Sequence, residues 1–238
     1  MSVIQTQRGT AAALAATNPV IADGQIVYET DTRRFKVGDG VTAWNSLAYQ
    51  SVTVSQISDI AALTNNTTSS ADAFSRIFTN SGQTPTSGNV HWTYFTPASS
   101  FTASQISITN IVQAYSPTLI RLGLYTADSA GGVTLVARTA NDTTVFSTTS
   151  TYWTRSFATA GGYPATYAVT AGSRYALAFC ITASSMPTIP AFSGHSLYLW
   201  QTPRITAYIT GQSDLPSSVA SDGFATVINN QAFWMRLS

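Results

Sequence analysis

Charge is what this chain has least of. Only 9% of its 238 residues are Asp, Glu, Lys or Arg, where globular proteins commonly carry about a quarter. There is a single Lys, Lys36, and a single Glu, Glu29. The net charge is +1, with no run of like charge. That excludes the electrostatic footprint of a nucleic-acid partner and of an anionic membrane surface. Cysteine is nearly absent too. Cys180 stands alone, so an intrachain disulfide is excluded. It lies in an alternating apolar run, residues 175–181, and reads as a small buried thiol rather than a nucleophile. No stretch reaches the ~18 apolar residues of a membrane span. Residues 1–20 lack the basic start and apolar core of a secretory signal, so export is expected to follow another route, of which cell lysis is one.

Acids for catalysis are equally few. Hydrolysis of a glycan needs two carboxylates placed across the scissile bond. Beyond residue 80 the chain offers Asp128, Asp142, Asp214 and Asp222. Each lies in turn-like sequence, and Asn141-Asp142-Thr143-Thr144 reads as an Asx turn. His91 and His195 are the only histidines, and neither has a Gly-x-Ser-x-Gly nucleophile signature nearby. Two distant histidines and one cysteine do not make a zinc site. Gly38-Asp39-Gly40 lacks the Lys-Ser/Thr of a phosphate-binding loop and the flanking carboxylates of a calcium loop. The expectation is a protein without catalysis, metal or cofactor.

Three parts are legible. Residues 1–50 hold 8 of the 21 charged residues. Ala11 to Ala16 favours a short helix, ended at Asn18-Pro19 because the residue before proline is pushed out of the right-handed helical region. Gln25-Ile26-Val27-Tyr28 and Arg34-Phe35-Lys36-Val37 alternate on either side of Thr30-Asp31-Thr32-Arg33, which predicts a β-hairpin. The glycines of Gly38-Asp39-Gly40 predict a turn with positive φ. Residues 51–79 read as a connector. Val52, Val54 and Ile57 suit an extended run; Ile57, Ile60, Ala61 and Leu63 suit a turn and a half of helix. A loop follows at 65–70, then a brief helix capped by Ser70 or Asp72 and ending near Phe78.

From residue 80 to 238, Gly and Pro clusters separate short alternating runs. Ile120, Leu122 and Leu124 share one face, opposite Arg121, Gly123 and Tyr125. Tyr175, Leu177, Phe179 and Ile181 oppose Ala176, Ala178 and Cys180, which are small enough to sit under a neighbouring layer. Phe233, Met235 and Leu237 oppose Trp234 and Arg236. Further strands are predicted at 105–109, 133–138, 153–157, 166–170, 197–200 and 204–209. Period-two patterning with frequent turn signals predicts an all-β protein whose C-terminal part is an antiparallel, jelly-roll-like β-sandwich.

The ordered string Arg8-Gly9-Thr10, Gly24-Gln25-Ile26, Tyr28-Glu29-Thr30-Asp31-Thr32, Phe35-Lys36-Val37-Gly38-Asp39-Gly40, Thr42 and Trp44 resembles the N-terminal module of phage fibre and receptor-binding proteins of the major tropism determinant type. It departs from that pattern at Arg33-Arg34, where a small residue often precedes the Phe. The resemblance implies a trimeric module that joins a fibre or spike to a phage particle. A unit of this size has little interior of its own, so the apolar residues of the connector are expected to pack against symmetry mates in a homotrimer. His91 to Pro97, Arg121 to Thr126, Thr134 to Arg138, Asn141 to Thr144 and Gly172 to Ala176 are similar to the jelly-roll domains of virion proteins from phages of actinobacteria. Likeness of fold does not transfer a ligand.

A neutral, Ser/Thr-rich, β-patterned chain suits a virion surface or an adhesin. Aromatic faces stacked on sugar C–H surfaces, with hydroxyls and amides around them, hold glycans. Tyr115, Tyr152, Trp153, Tyr163 and Trp200 lie at loop-like points and are the candidate glycan-binding residues; each could equally fill a sandwich core or a trimer seam. Tyr163, in Gly161-Gly162-Tyr163-Pro164, is expected to be exposed unless another chain covers it. The expected function is a homotrimeric virion fibre or spike, attached to other virion proteins through residues 1–50 and binding a host-surface glycan. A head fibre or capsid decoration protein of mainly structural role is the alternative. A polysaccharide depolymerase is disfavoured by the scarcity of acids.

Overall fold

Thr10 opens the first helix. Its backbone is extended, and its hydroxyl accepts the Ala13 N–H at 3.2 Å, capping the helix that follows. The computed structural model describes residues 7–50, 69–75, 78–193, 204–225 and 231–238. The chain divides into two compact units, residues 1–55 and 56–238.

The first unit contains strand β1 (Gln7–Gly9), helix α1 (Ala11–Thr17), β2 (Ile26–Glu29) and β3 (Phe35–Val37). The helix ends as expected at Asn18. That residue leaves the right-handed region for the left-handed one, at φ 40° and ψ 50°, and its N–H bonds the Leu14 carbonyl. β2 and β3 form the expected antiparallel hairpin, with Ile26 opposite Val37 and Tyr28 opposite Phe35. β1 runs parallel to β2, which the local pattern did not predict. Leu14, Ile21, Val27 and Trp44 form the core.

Beside this core the chain buries its only Glu and its only Lys. Glu29 accepts hydrogen bonds from the Thr32 hydroxyl and, at 2.7 Å, from the Tyr49 hydroxyl. The Lys36 ammonium donates to the Trp44 carbonyl at 2.6 Å and lies 4.3 Å from the centre of the Tyr49 ring. Burial pulls Lys36 below its ordinary pKa, with the Glu29 charge acting in the opposite direction.

The two glycines around Asp39 have different reasons. Gly40 has the expected positive φ, 75°. Gly38 does not; it is required by close approach, since a Cβ there would lie 2.3 Å from the Ala22 carbonyl oxygen and 2.5 Å from that of Ile21.

The second unit is built only of strands among its described elements: β4 (Ala71–Asp72), β5 (Ser81–Gln83), β6 (Val90–Phe95), β7 (Phe101–Ala103), β8 (Gln105–Thr109), β9 (Tyr115–Ala127), β10 (Val133–Arg138), β11 (Tyr152–Ser156), β12 (Tyr167–Val169), β13 (Tyr175–Ser185), β14 (Ile189–Ser193), β15 (Thr206–Ile209), β16 (Ser218–Val219), β17 (Gln231–Phe233) and β18 (Met235–Leu237). A six-stranded sheet has the order β15-β6-β13-β9-β10-β16, and a four-stranded sheet the order β11-β8-β18-β4. Two smaller sheets, β12-β7 and β17-β14-β5, complete the unit. Every pairing in it is antiparallel. The all-β, sandwich-like architecture expected from the alternation is the one observed.

The predicted faces hold residue by residue. Tyr175, Leu177, Phe179 and Ile181 of β13 join Ile120, Leu122 and Leu124 of β9 and Phe233, Met235 and Leu237 in one core cluster. Ala176, Ala178 and Cys180 point into a second cluster with Trp92, Tyr125 and Leu135. Leu215 and Phe224 of the segment 204–225 cover that second face, and Ala207 extends it from β15 at the edge of the sheet. Tyr125 anchors the cover by donating its hydroxyl to the Pro216 carbonyl at 2.9 Å. Gly123 leaves room for it, since a Cβ there would lie 2.7 Å from a Leu215 methyl.

One expectation is overturned. The brief helix is not capped at Ser70 or Asp72: Ala71–Asp72 is strand β4, paired with β18, residues 76 and 77 lie outside the described residues, and Phe78, at the expected end, has 3-10 geometry. Ala71 and Ala73 are buried in the main core, and the Ala73 N–H bonds the Met235 carbonyl at 2.8 Å. Tertiary packing and an available strand edge outweighed a local capping signal. The expected helical turn through Ile57 to Leu63 and the strand at 197–200 lie outside the described residues.

Gly38→Ala is expected to destabilise the first unit by about 2 kcal/mol or more, because the added methyl meets backbone that cannot move aside. Hydrogen exchange of the Val27 and Trp44 amides in the full chain checks this. Protection there falls, while protection of β13 stays unchanged.

Candidate functional site

The aromatic candidates do not form one patch. Tyr115 opens β9 and is 55% exposed. Tyr152 and Trp153 are adjacent on β11 and therefore point to opposite faces. Tyr152 is half exposed, with its ring centre 6.0 Å from that of Trp234. Trp153 packs against the main core and donates its indole N–H to Asn110 at 2.8 Å. Tyr163 is not bare as expected. It packs against the second core cluster under the Arg138 guanidinium, 4.7 Å from the ring centre, so the covering group comes from its own chain. Trp200 lies outside the described residues.

Three of the aspartates weighed for catalysis have structural partners. Asp142 makes the expected Asx turn, accepting the Thr144 N–H at 2.9 Å, and also pairs with Arg155. Asp214 binds both Arg121 and Arg138. Asp128 closes the β9–β10 hairpin by accepting the Gly132 N–H at 2.8 Å. Cys180 is fully buried, and burial pushes its thiol up to about 12. His195 lies outside the described residues. Among the described residues no group of three or more His, Cys, Asp or Glu side chains could hold a metal ion, and no helix is long and apolar enough to cross a membrane.

His91 is a core residue. Its ring stacks on Phe179 and Tyr208, at 5.3 and 5.7 Å, and meets the edge of Phe233 at 5.0 Å. Neither ring nitrogen has a hydrogen-bond partner among the described residues. Burial lowers its pKa from 6.5 to about 4, so the folded protein holds it neutral.

A polar concavity on the second unit measures about 500 Å³. Ser87, Thr118, Thr182, Gln212 and Ser213 line it, with Gly88 and Gly211. The Gln212 N–H bonds the Gly88 carbonyl at 2.7 Å, which ties the segment 204–225 to the β5–β6 loop. The Ser87 hydroxyl bridges both backbone groups of Ala183, and Thr118 reaches the Thr182 carbonyl at 3.4 Å. These neutral hydroxyl and amide groups match the hydroxyls of a sugar. Sequence reading missed this groove because four distant segments build it. Each looks locally like an ordinary turn or strand end.

Residues 4–42 match the family described as the major tropism determinant N-terminal domain. No curated protein matches the chain. The match supports a phage-related fibre or receptor-binding module in this part of the chain, of a kind that serves host recognition on the virion.

His91 sets a pH dependence. Between pH 6.5 and about 4 the unfolded chain binds a proton that the folded chain does not. Its contribution is therefore complete above pH 6.5 and is lost as pH falls toward 4, by an amount on the order of 3 kcal/mol. Denaturant midpoints measured across this window are expected to fall with pH, and His91→Leu is expected to flatten the slope. An equal slope in both proteins contradicts the assignment.

Proposed function

We propose that the protein is a homotrimeric virion fibre or spike that binds a host-surface glycan without altering it. The observation that carries this reading is the tropism-determinant match at residues 4–42, joined to a separate all-β unit with few charges. The first unit attaches the protein to other virion proteins; the second faces outward from the particle. The hydroxyl-lined groove at Ser87, Thr118, Thr182 and Gln212 contacts the sugar. Tyr115 and Tyr152, the two exposed aromatics among the four described candidates, offer stacking faces at other points of the unit. The engagement of Asp128, Asp142 and Asp214 in turns and ion pairs supports adhesion over hydrolysis. A shallow neutral site suffices, because linked copies on one particle raise the effective concentration and give avidity.

Purified full chain, mixed with host cells and with their extracted wall polymers, tests this. It is expected to run as an assembly of three 25.3 kDa chains and to retain the polymer. The polymer is expected to be recovered at its original size with no new reducing ends. Gln212→Ala is expected to weaken retention at least about fivefold, the loss of one hydrogen bond of roughly 1 kcal/mol per copy. A monomer that shortens the polymer overturns the reading.

A further inference from the structure

Six arginines of the second unit are described. Arg121 and Arg138 pair with Asp214, Arg155 with Asp142, and Arg236 lies 4.0 Å from Asp72. Arg174 and Arg204 form no ion pair among the described residues, and they stand together in one pocket of about 200 Å³.

Their guanidinium groups are fixed by other means. Arg174 lies over the Tyr94 ring, 5.0 Å from its centre, and donates to the Arg204 backbone carbonyl. Arg204 lies over the Phe224 ring at 5.1 Å and donates to the Ser221 carbonyl at 2.8 Å. Its stem runs along Gly131, where a Cβ would meet the Arg204 Cδ at 3.2 Å. Tyr94 is locked in turn, donating its hydroxyl to the Gly131 carbonyl at 2.6 Å. Asp128 sits in the same hairpin, but its carboxylate accepts the Gly132 N–H and lies beyond ion-pair distance of either arginine. Thr96 and Ile205 form an exposed rim. Both guanidiniums are partly buried, and burial works against the Arg174 charge.

Both cations line the same pocket. Aromatic faces and carbonyls orient them without neutralising them. Each guanidinium has five N–H donors in a fixed fork, and the described contacts use few of them. In a chain that matches its other described arginines of this unit to aspartates, such a pocket is organised for an anion that no described residue supplies. A guanidinium fork binds carboxylate and phosphate oxygens bidentately.

We propose that Arg174 and Arg204 bind the oxyanion, carboxylate or phosphate, of an acidic sugar in the host-surface glycan. This rests on the adhesin reading and narrows its ligand to a polymer that carries acidic residues. The pocket is separate from the hydroxyl-lined groove, so one polymer can place a neutral unit in one and an acidic unit in the other.

The test titrates the full chain with glucuronate, with glucose 1-phosphate and with glucose, following the arginine Nε–H signals by NMR. One or both anions are expected to shift the Arg174 and Arg204 signals, while glucose does not. A shift with only one anion identifies the group. Arg174→Gln and Arg204→Gln are each expected to weaken anion binding at least about tenfold, the worth of one charged hydrogen bond. Arg204→Lys, which keeps the charge and loses the fork, is expected to fall between. Arg8→Gln in the first unit is expected to change nothing. No shift with either anion, or binding that survives both Gln substitutions, overturns the proposal. If the Gln variants still retain host polymer as the unaltered chain does, the pocket assignment falls and the adhesin reading stands. If the anions bind but no host polymer is retained, the adhesin reading falls instead.

Discussion

Burial of the six-stranded sheet on both faces is the constraint on which the second unit depends. Residues 175–181 of β13 are buried without interruption. One face carries large side chains into the main core, and the other carries Ala176, Ala178 and Cys180 under Trp92 and Tyr125. Burying a single large apolar side chain is worth about 1.5–3 kcal/mol. Without Leu215 and Phe224 above it, the second face would open several such residues to water. The segment 204–225 is therefore part of the fold. It also builds both polar concavities, supplying Gly211, Gln212 and Ser213 to the groove and Arg204 and Ile205 to the arginine pocket. The sheet provides the frame, and the segment 204–225 provides polar groups at its rim.

Scarce charge is used in three ways. In the first unit Glu29 and Lys36 are buried beside Tyr49 and Trp44, so the only two residues of their kinds stabilise a core of few apolar side chains. In the second unit Asp142 and Asp214 neutralise arginines that line strand edges. Arg174 and Arg204 are left over, held by ring faces and carbonyls.

Much of this fold was legible in the chain. Alternation assigned β9, β13 and β18 to their faces correctly, because side chains of period two must choose between two environments. Asn18-Pro19 and the Asx turn at Asp142 were readable because their causes are local. β4 was not, since two residues acquire strand geometry only from the edge of β18. Nor was the reason for Gly38, which depends on carbonyls sixteen and seventeen residues earlier in the chain, those of Ala22 and Ile21. The site was less legible than the fold. Exposed aromatics could be counted in the sequence, but whether Trp153 and Tyr163 faced water was decided by Asn110 and Arg138, far away along the chain. Arg174 and Arg204 looked like any strand-edge arginines until the partners of the others were known.

Hydrogen exchange of the full chain tests most directly whether the covered sheet is the frame. The amides of residues 175–181 are expected to be the slowest in the second unit and to exchange only through its global unfolding, while those of the cover at 211–224 exchange faster through local opening. Exchange of 175–181 at the same rate as the cover, well below the global unfolding free energy, would contradict a rigid sheet with function confined to its rim.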